Sequence, residues 1–306
     1  MKRLNFTFFC FFLFGLMIHP LFSADWQVMR NDSVRIFYAR GNRFVAETTL
    51  QTTDKALAEI TARLKIPFSG EVNIFLAEDE KSWQKLTNKK VPEWSQAVTK
   101  PEVGIVYVSL AKKNGKELPV VLRHELVHVL IGKNFSPGII PRWFEEGVAM
   151  IISGENFSNY ISTLSKANLT NSLLTLPEIE NVLRFQQSKA NLAYAESYFS
   201  VKMIVDALGW DALSDILKKT RKYNRWERAF DDVLEMNQES FQWHVFKEVG
   251  KKYRWNFIFQ SDIFFWVILP FIAIIAFIFV RIRNYRTYRR WEEDEMEAAA
   301  KDEENE

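Results

Sequence analysis

Cysteine is all but missing from this 306-residue chain: the single one, Cys10, lies in an apolar stretch near the start. Disulfides within the chain are therefore excluded, and so is any metal site built on several thiolates. Histidine is nearly as scarce, with four residues in all: His19, His124, His128 and His244. Internal repeats, low-complexity segments and long Pro/Gly linkers are missing between Asp25 and Phe257, so that region reads as one compact unit. A net charge of +2 gives no broad basic surface over the folded region, which argues against a nucleic-acid binder. The charge is instead segregated, with arginines after the last apolar run and an acidic stretch from Glu292 to Glu306.

Two apolar runs stand at the ends. Lys2-Arg3, the Phe/Leu/Ile/Met run from Phe8 to Ile18, and Ser23-Ala24 before Asp25 describe a secretory signal peptide over residues 1–24. An uncleaved anchor is the alternative, because Leu21 and Phe22 are bulky for the position three before a cleavage site. The second run, Ile263 to Val280, carries no charge. At about 1.5 Å per residue it just spans a hydrocarbon core of roughly 30 Å. Arg281, Arg283, Arg286, Arg289 and Arg290 follow, which predicts a cytoplasmic C-terminus. Lys247, Lys251, Lys252 and Arg254 on the other side oppose this rule, and the signal peptide breaks the tie. The expectation is a single-pass membrane protein: an extracytoplasmic domain over 25–257, a transmembrane helix over 258–282 and a cytoplasmic basic-then-acidic tail over 283–306.

Within the exported region, strand-like segments at Val34–Ala39, Glu71–Ala77 and Gly104–Leu110 alternate with helical ones at Phe44–Leu64 and Glu80–Thr87. A loop through Lys112-Lys113-Asn114-Gly115 follows, and helices dominate from Leu118 onward. The fold class expected is α+β, a small mixed-sheet subdomain followed by a helical one, with one C-terminal transmembrane helix.

The chemistry concentrates in His124-Glu125-Leu126-Val127-His128, inside an apolar helix over Leu118–Ile131 with Gly132 as its stop. Histidines four apart share a helix face and can bind one zinc ion. Glu125 follows the first histidine and comes beside such a metal, suited to take a proton from the attacking water. A catalytic zinc needs three protein ligands. Without cysteine the third is an acid or His244, and His244 reads as a packed or interfacial residue among Phe241, Trp243 and Phe246. Downstream, Pro141–Met150 forms a second apolar helix carrying Glu145 and Glu146. Adjacent residues differ by about 100° around a helix, so only one of the two acids can face the metal, and periodicity does not choose between them.

The pairing of His-Glu-Leu-Val-His with Trp-Phe-Glu-Glu-Gly-Val-Ala resembles the gluzincin pattern of zinc metallopeptidases, and more closely its bacterial peptidase MA-like branch. The resemblance covers mainly Gly104–Gly154, with a weaker echo at Leu192–Leu208. It implies Glu146, the acid before glycine, as third ligand beside His124 and His128. It also implies a hydrolase acting on protein or peptide substrates, and an edge strand at Gly104–Leu110 that pairs with extended substrate. The aminopeptidase-type Gly-Ala-Met-Glu-Asn box is missing, which favours an endopeptidase acting on exported or envelope proteins. In the helix from Ala193 to Leu208, Tyr194 or Tyr198 can donate a hydrogen bond to a tetrahedral oxyanion, and Tyr198 is expected to be catalytic. Two other readings are a zinc-bearing, non-catalytic membrane scaffold and a plain single-pass adaptor. Glu125 argues against the first, since a structural site needs no general base, and the second leaves the histidine pair unexplained.

Overall fold

The computed structural model describes residues 26–112, 116–254 and 263–303. The expected signal peptide and residues 113–115 of the expected loop lie outside the described residues.

An antiparallel hairpin opens the described chain, β1 (Trp26–Arg30) with β2 (Val34–Ala39), followed by α1 (Arg43–Leu64). Next come β3 (Val72–Ala77), α2 (Glu80–Thr87), β4 (Ala97–Lys100) and β5 (Ile105–Ser109). The sheet order is β1-β2-β3-β5-β4, with β2, β3 and β5 parallel and the two outer strands antiparallel. Period-two alternation specifies the strands: Val34, Ile36 and Tyr38 are buried on β2, Val72, Ile74 and Leu76 on β3, Val106 and Val108 on β5. Helix α1 meets β2 along a stripe of helical period that includes Thr53, Ala56, Leu57, Ile60 and Leu64.

The sequence pattern missed β1 and β4. Each is short, and each has few buried side chains, so neither shows a clear alternation. One expectation is corrected as a result. β5 is not an edge strand, because β3 flanks it on one side and β4 on the other. The edge is β4, brought back against β5 by a tight turn at Pro101–Val103 that ends on Gly104 with φ +66°. A Cβ on Gly104 would meet the Glu71 carbonyl oxygen at 2.6 Å, so the turn requires glycine there.

The helical part comprises α3 (Leu118–Asn134), α4 (Arg142–Ser153) and α5 (Ser158–Leu169), then a 3-10 run at Leu176–Arg184. It continues with α6 (Gln187–Leu208), α7 (Trp210–Tyr223), α8 (Trp226–Leu234) and α9 (Gln238–Tyr253). Gly132 does not stop α3, which runs two residues further. Its bare Cα instead faces Pro101, where a Cβ would come within 2.2 Å.

Helix α4 is packed between α3 and α6 and is buried from Trp143 to Met150. Trp143 and Phe144 anchor it in an aromatic cluster with Trp226, Phe230 and Phe241. Between those two residues around the helix, Gly147 allows contact with α6, since a Cβ there would stand 2.3 Å from the Ser197 carbonyl oxygen.

The last element, α10 (Ile263–Glu303), is one helix long and apolar enough to cross a membrane. Its side chains Phe271, Ile275, Phe277 and Ile278 are exposed. The helix does not end at the arginines but runs on into the acidic stretch, with Arg289 and Glu293 paired one turn apart at 3.4 Å.

Candidate metal centre

Helix α3 puts His124 and His128 on one face, their ring centroids 5.0 Å apart. The roll of the helix is set from behind by Leu126, Val127, Val129 and Leu130, all wholly buried. After a turn containing Gly138 at φ +79°, α4 packs back on α3 and brings its two acids to the histidines.

The acids have different positions. Glu146 Oε2 lies 3.3 Å from His124 Nε2 and 3.5 Å from His128 Nε2. Glu145 Oε1 is instead 2.7 Å from His128 Nδ1, on the far side of that ring. The roughly 100° between neighbours on α4 accounts for the split. His124 Nδ1 has a comparable neighbour, Glu155 Oε1 at 2.8 Å, from just beyond the end of α4. Each imidazole thus has a carboxylate at Nδ1 and turns Nε2 toward the same Glu146 oxygen.

His124, His128 and Glu146 offer three donor atoms within 4.8 Å of one another. Glu146 Oε2 is buried and has no hydrogen-bond partner among the described residues, although its other oxygen is 2.7 Å from Arg142 Nη2. A buried carboxylate oxygen with no donor is costly unless a cation faces it. Ligand atoms on a tetrahedral zinc ion at about 2.0–2.1 Å stand about 3.3 Å apart, close to the separations seen here. The residues fit a zinc ion.

Electrostatics agree with that fit. Glu145, Glu146 and Glu155 are buried together, with Arg142 and Lys116 as the fixed cations beside them. Burial resists ionisation of Glu146, but Arg142 and His128 outweigh it and hold the carboxyl well below its ordinary value. Glu155, against the same resistance, is drawn down to about 2 by His124 and Lys116. Burial lowers the basicity of His128, yet Glu146 and Glu145 raise it to about 10, and His124 is raised by Glu146 and Glu155. The pocket is made for positive charge between the two rings.

A cleft of about 380 Å3 opens onto these groups, lined by Val98 and Thr99 of β4, by Ile131 of α3 and Phe135 just after it, and by Trp94 and Tyr194. Glu125 faces it, one carboxylate oxygen accepting a hydrogen bond from the Thr99 hydroxyl. The Tyr194 phenol is partly buried and pushed well above its ordinary value, by desolvation first and then by Glu146, so it stays a donor. Tyr198 is elsewhere. One turn further along α6, it stacks on Phe157 at 4.4 Å and does not line the cleft, contrary to expectation. His244, expected to be packed or interfacial, is not among the grouped metal donors and meets the Trp243 ring edge-on at 5.3 Å. It is exposed on α9, with Nδ1 2.8 Å from the Ser240 carbonyl oxygen.

Sequence reasoning passed over Thr99, Lys116, Arg142 and Glu155. Arg142 had a signal, since it stands four residues before Glu146 on one helix. Glu155 had none, because it follows the helix-ending Gly154 and reaches His124 only through the fold.

Among proteins of known sequence, "Uncharacterized protein YhcO" of Bacillus subtilis (strain 168) is similar, at 24% identity over 123 residues. That match takes in 39% of this chain and spans 35% of the relative's length. Compared with protein families, residues 52–246 match the peptidase MA superfamily, a span running from α1 into α9 that contains the histidine pair, both acids and the cleft. The chain belongs to the peptidase MA superfamily.

Proposed function

We propose that this protein is a membrane-anchored, zinc-dependent endopeptidase that hydrolyses peptide bonds of exported or envelope proteins. The observation that carries the reading is Glu146 Oε2, buried without a hydrogen-bond partner and facing two imidazole nitrogens, with Glu125 beside it. His124, His128 and Glu146 would hold the ion, while Glu155 and Glu145 fix the rings through Nδ1. A bound zinc ion supplies Lewis acidity toward a carbonyl and lowers the pKa of water.

The remaining work falls to the chain's own residues. Glu125 takes a proton from the attacking water and returns it to the leaving amine, oriented meanwhile by Thr99. Tyr194 donates its phenolic proton in a hydrogen bond to the substrate oxygen as charge develops there. The outer edge of β4 offers backbone groups to an extended peptide. Beyond Trp94 and Leu183 a second hollow continues toward Phe185 and Gln187, which gives a peptide room past the reacting bond and favours endopeptidase action. In this reading residues 1–24 direct export, 25–257 form the extracytoplasmic catalytic unit, 258–282 cross the membrane and 283–306 are cytoplasmic.

The test is zinc content and casein cleavage by the full chain in detergent, beside Glu125→Gln. One zinc per chain in both, with cleavage only by the parent, supports the reading. Zinc in both and cleavage by neither supports a non-catalytic scaffold, and no zinc in either removes the metal centre.

A further inference from the structure

Helix α9 divides by face, although the exposed Lys252 falls on the apolar side. Phe241, Val245, Val249 and Tyr253 are buried. At about 100° per residue, Trp243, Arg254, Lys247, Ser240, Lys251 and His244 fall within roughly 100° of arc on the other side. All six are exposed, with Trp243 at 59%. Glu239 and Glu248 border this stripe, and Glu248 Oε1 is 3.8 Å from Lys251 Nζ. Lys247 Nζ lies over the Trp243 ring, 5.0 Å from its centroid. The end of α5 borders the same face, since Asn168 Oδ1 would stand 3.3 Å from a Cβ on Gly250 and the next residue, Leu169, is exposed.

An exposed tryptophan among lysines and arginine is poorly matched to bulk water and well matched to a headgroup region, where indole and ammonium groups both find partners. Position agrees with composition. Residues 255–262 alone separate Arg254 from Ile263, so the end of α9 lies no more than about 30 Å from the start of α10. At that distance the stripe meets lipid at high effective concentration.

We propose that α9 docks on the extracytoplasmic bilayer surface, its Trp243–Lys247–Lys251–Arg254 stripe seated on anionic phospholipid headgroups. The inference rests on the reading that α10 crosses the membrane. It accounts for three of the four cations on the exported side that oppose the positive-inside rule, Lys247, Lys251 and Arg254. Docking holds the catalytic unit against the bilayer instead of leaving it attached by the chain alone.

The test uses the full chain with Cys10→Ser, carrying a nitroxide at Ser240→Cys, in nanodiscs of phosphatidylglycerol with phosphatidylcholine or of phosphatidylcholine alone. In anionic discs the label should lose severalfold accessibility to an aqueous paramagnetic reagent. That protection should disappear in Lys247→Glu/Lys251→Glu, in phosphatidylcholine discs and in 0.5 M salt, where the Debye length shrinks to a few ångströms. A label equally wet in both discs overturns the proposal, as does protection indifferent to lipid charge. A second label at Ile275→Cys tests the spanning reading by itself. If it is lipid-shielded while Ser240→Cys is wet, only the docking fails. If it is wet, the spanning reading fails and the docking falls with it.

Discussion

Arg142 contributes to the centre without facing the cation position. Its guanidinium holds Glu146 by one oxygen and leaves the other turned to the imidazoles. Glu155 does the equivalent for His124. Outer groups of this kind typically change metal affinity by about 10–100-fold. Arg142→Gln and Glu155→Gln should each weaken zinc binding by about that factor, read as a dissociation constant by competition with a chelator, and Arg142→Lys should lose less than Arg142→Gln. A second residue-scale prediction concerns Glu196, buried on α6, where burial pushes its carboxyl up to about 8 although the Leu174 N–H donates to it. The native state keeps that proton up to about pH 8, while an unfolded carboxyl releases it near 4.5. Stability therefore falls as pH rises through that window and levels off above it, a loss on the order of a few kcal/mol. Glu196→Gln, which keeps the acceptor, should flatten the decline and melt higher than the parent at pH 8.5.

Among the elements, α4 decides most. It presents Glu145 and Glu146 on one side, buries Trp143 and Phe144 on another and touches α6 through Gly147. Its position is over-determined, so a small displacement moves both acids together. Gly147→Ala puts a methyl group 2.3 Å from the Ser197 carbonyl oxygen and 2.4 Å from Val201 Cγ2. Overpacking of this kind typically costs about 1–3 kcal/mol. The expected outcome is a lower melting temperature with weakened zinc binding, whereas Ala149→Gly on the same helix, which loses helix propensity and one buried methyl, should cost about 2 kcal/mol in stability with little effect on zinc. The element β4 shows the converse case. Four residues long and at the edge of the sheet, it brings Val98 and Thr99 to the cleft, although nothing in its own pattern marks it as a strand.

For the whole molecule, the proposed zinc ion would link fold and protons. Zinc requires neutral imidazoles, and the surrounding carboxylates hold His128 protonated to about 10 and raise His124 as well. Zinc binding should therefore release protons, and apparent affinity should rise with pH across the neutral range. Calorimetry in buffers of different ionisation enthalpy reads both the number of protons and the slope. Because the proposed ligands come from two helices, zinc should also raise the melting temperature, by a margin that grows with its concentration over the dissociation constant. What the sequence determined by itself was whatever is local. The spacing of His124 and His128 puts both on one helical face, alternation marks β2, β3 and β5, and the unbroken apolar run marks α10. Periodicity could not separate Glu145 from Glu146 and only the family resemblance named one, whereas the tertiary structure gives them different places, since a helix carries adjacent acids about 100° apart and docking against α3 gives that angle a direction. It likewise put Tyr194 rather than Tyr198 in the cleft, made β4 rather than β5 the edge, and brought Glu155 to His124. Periodicity records which residues share a face, and contacts between elements record what that face meets, which no single segment encodes.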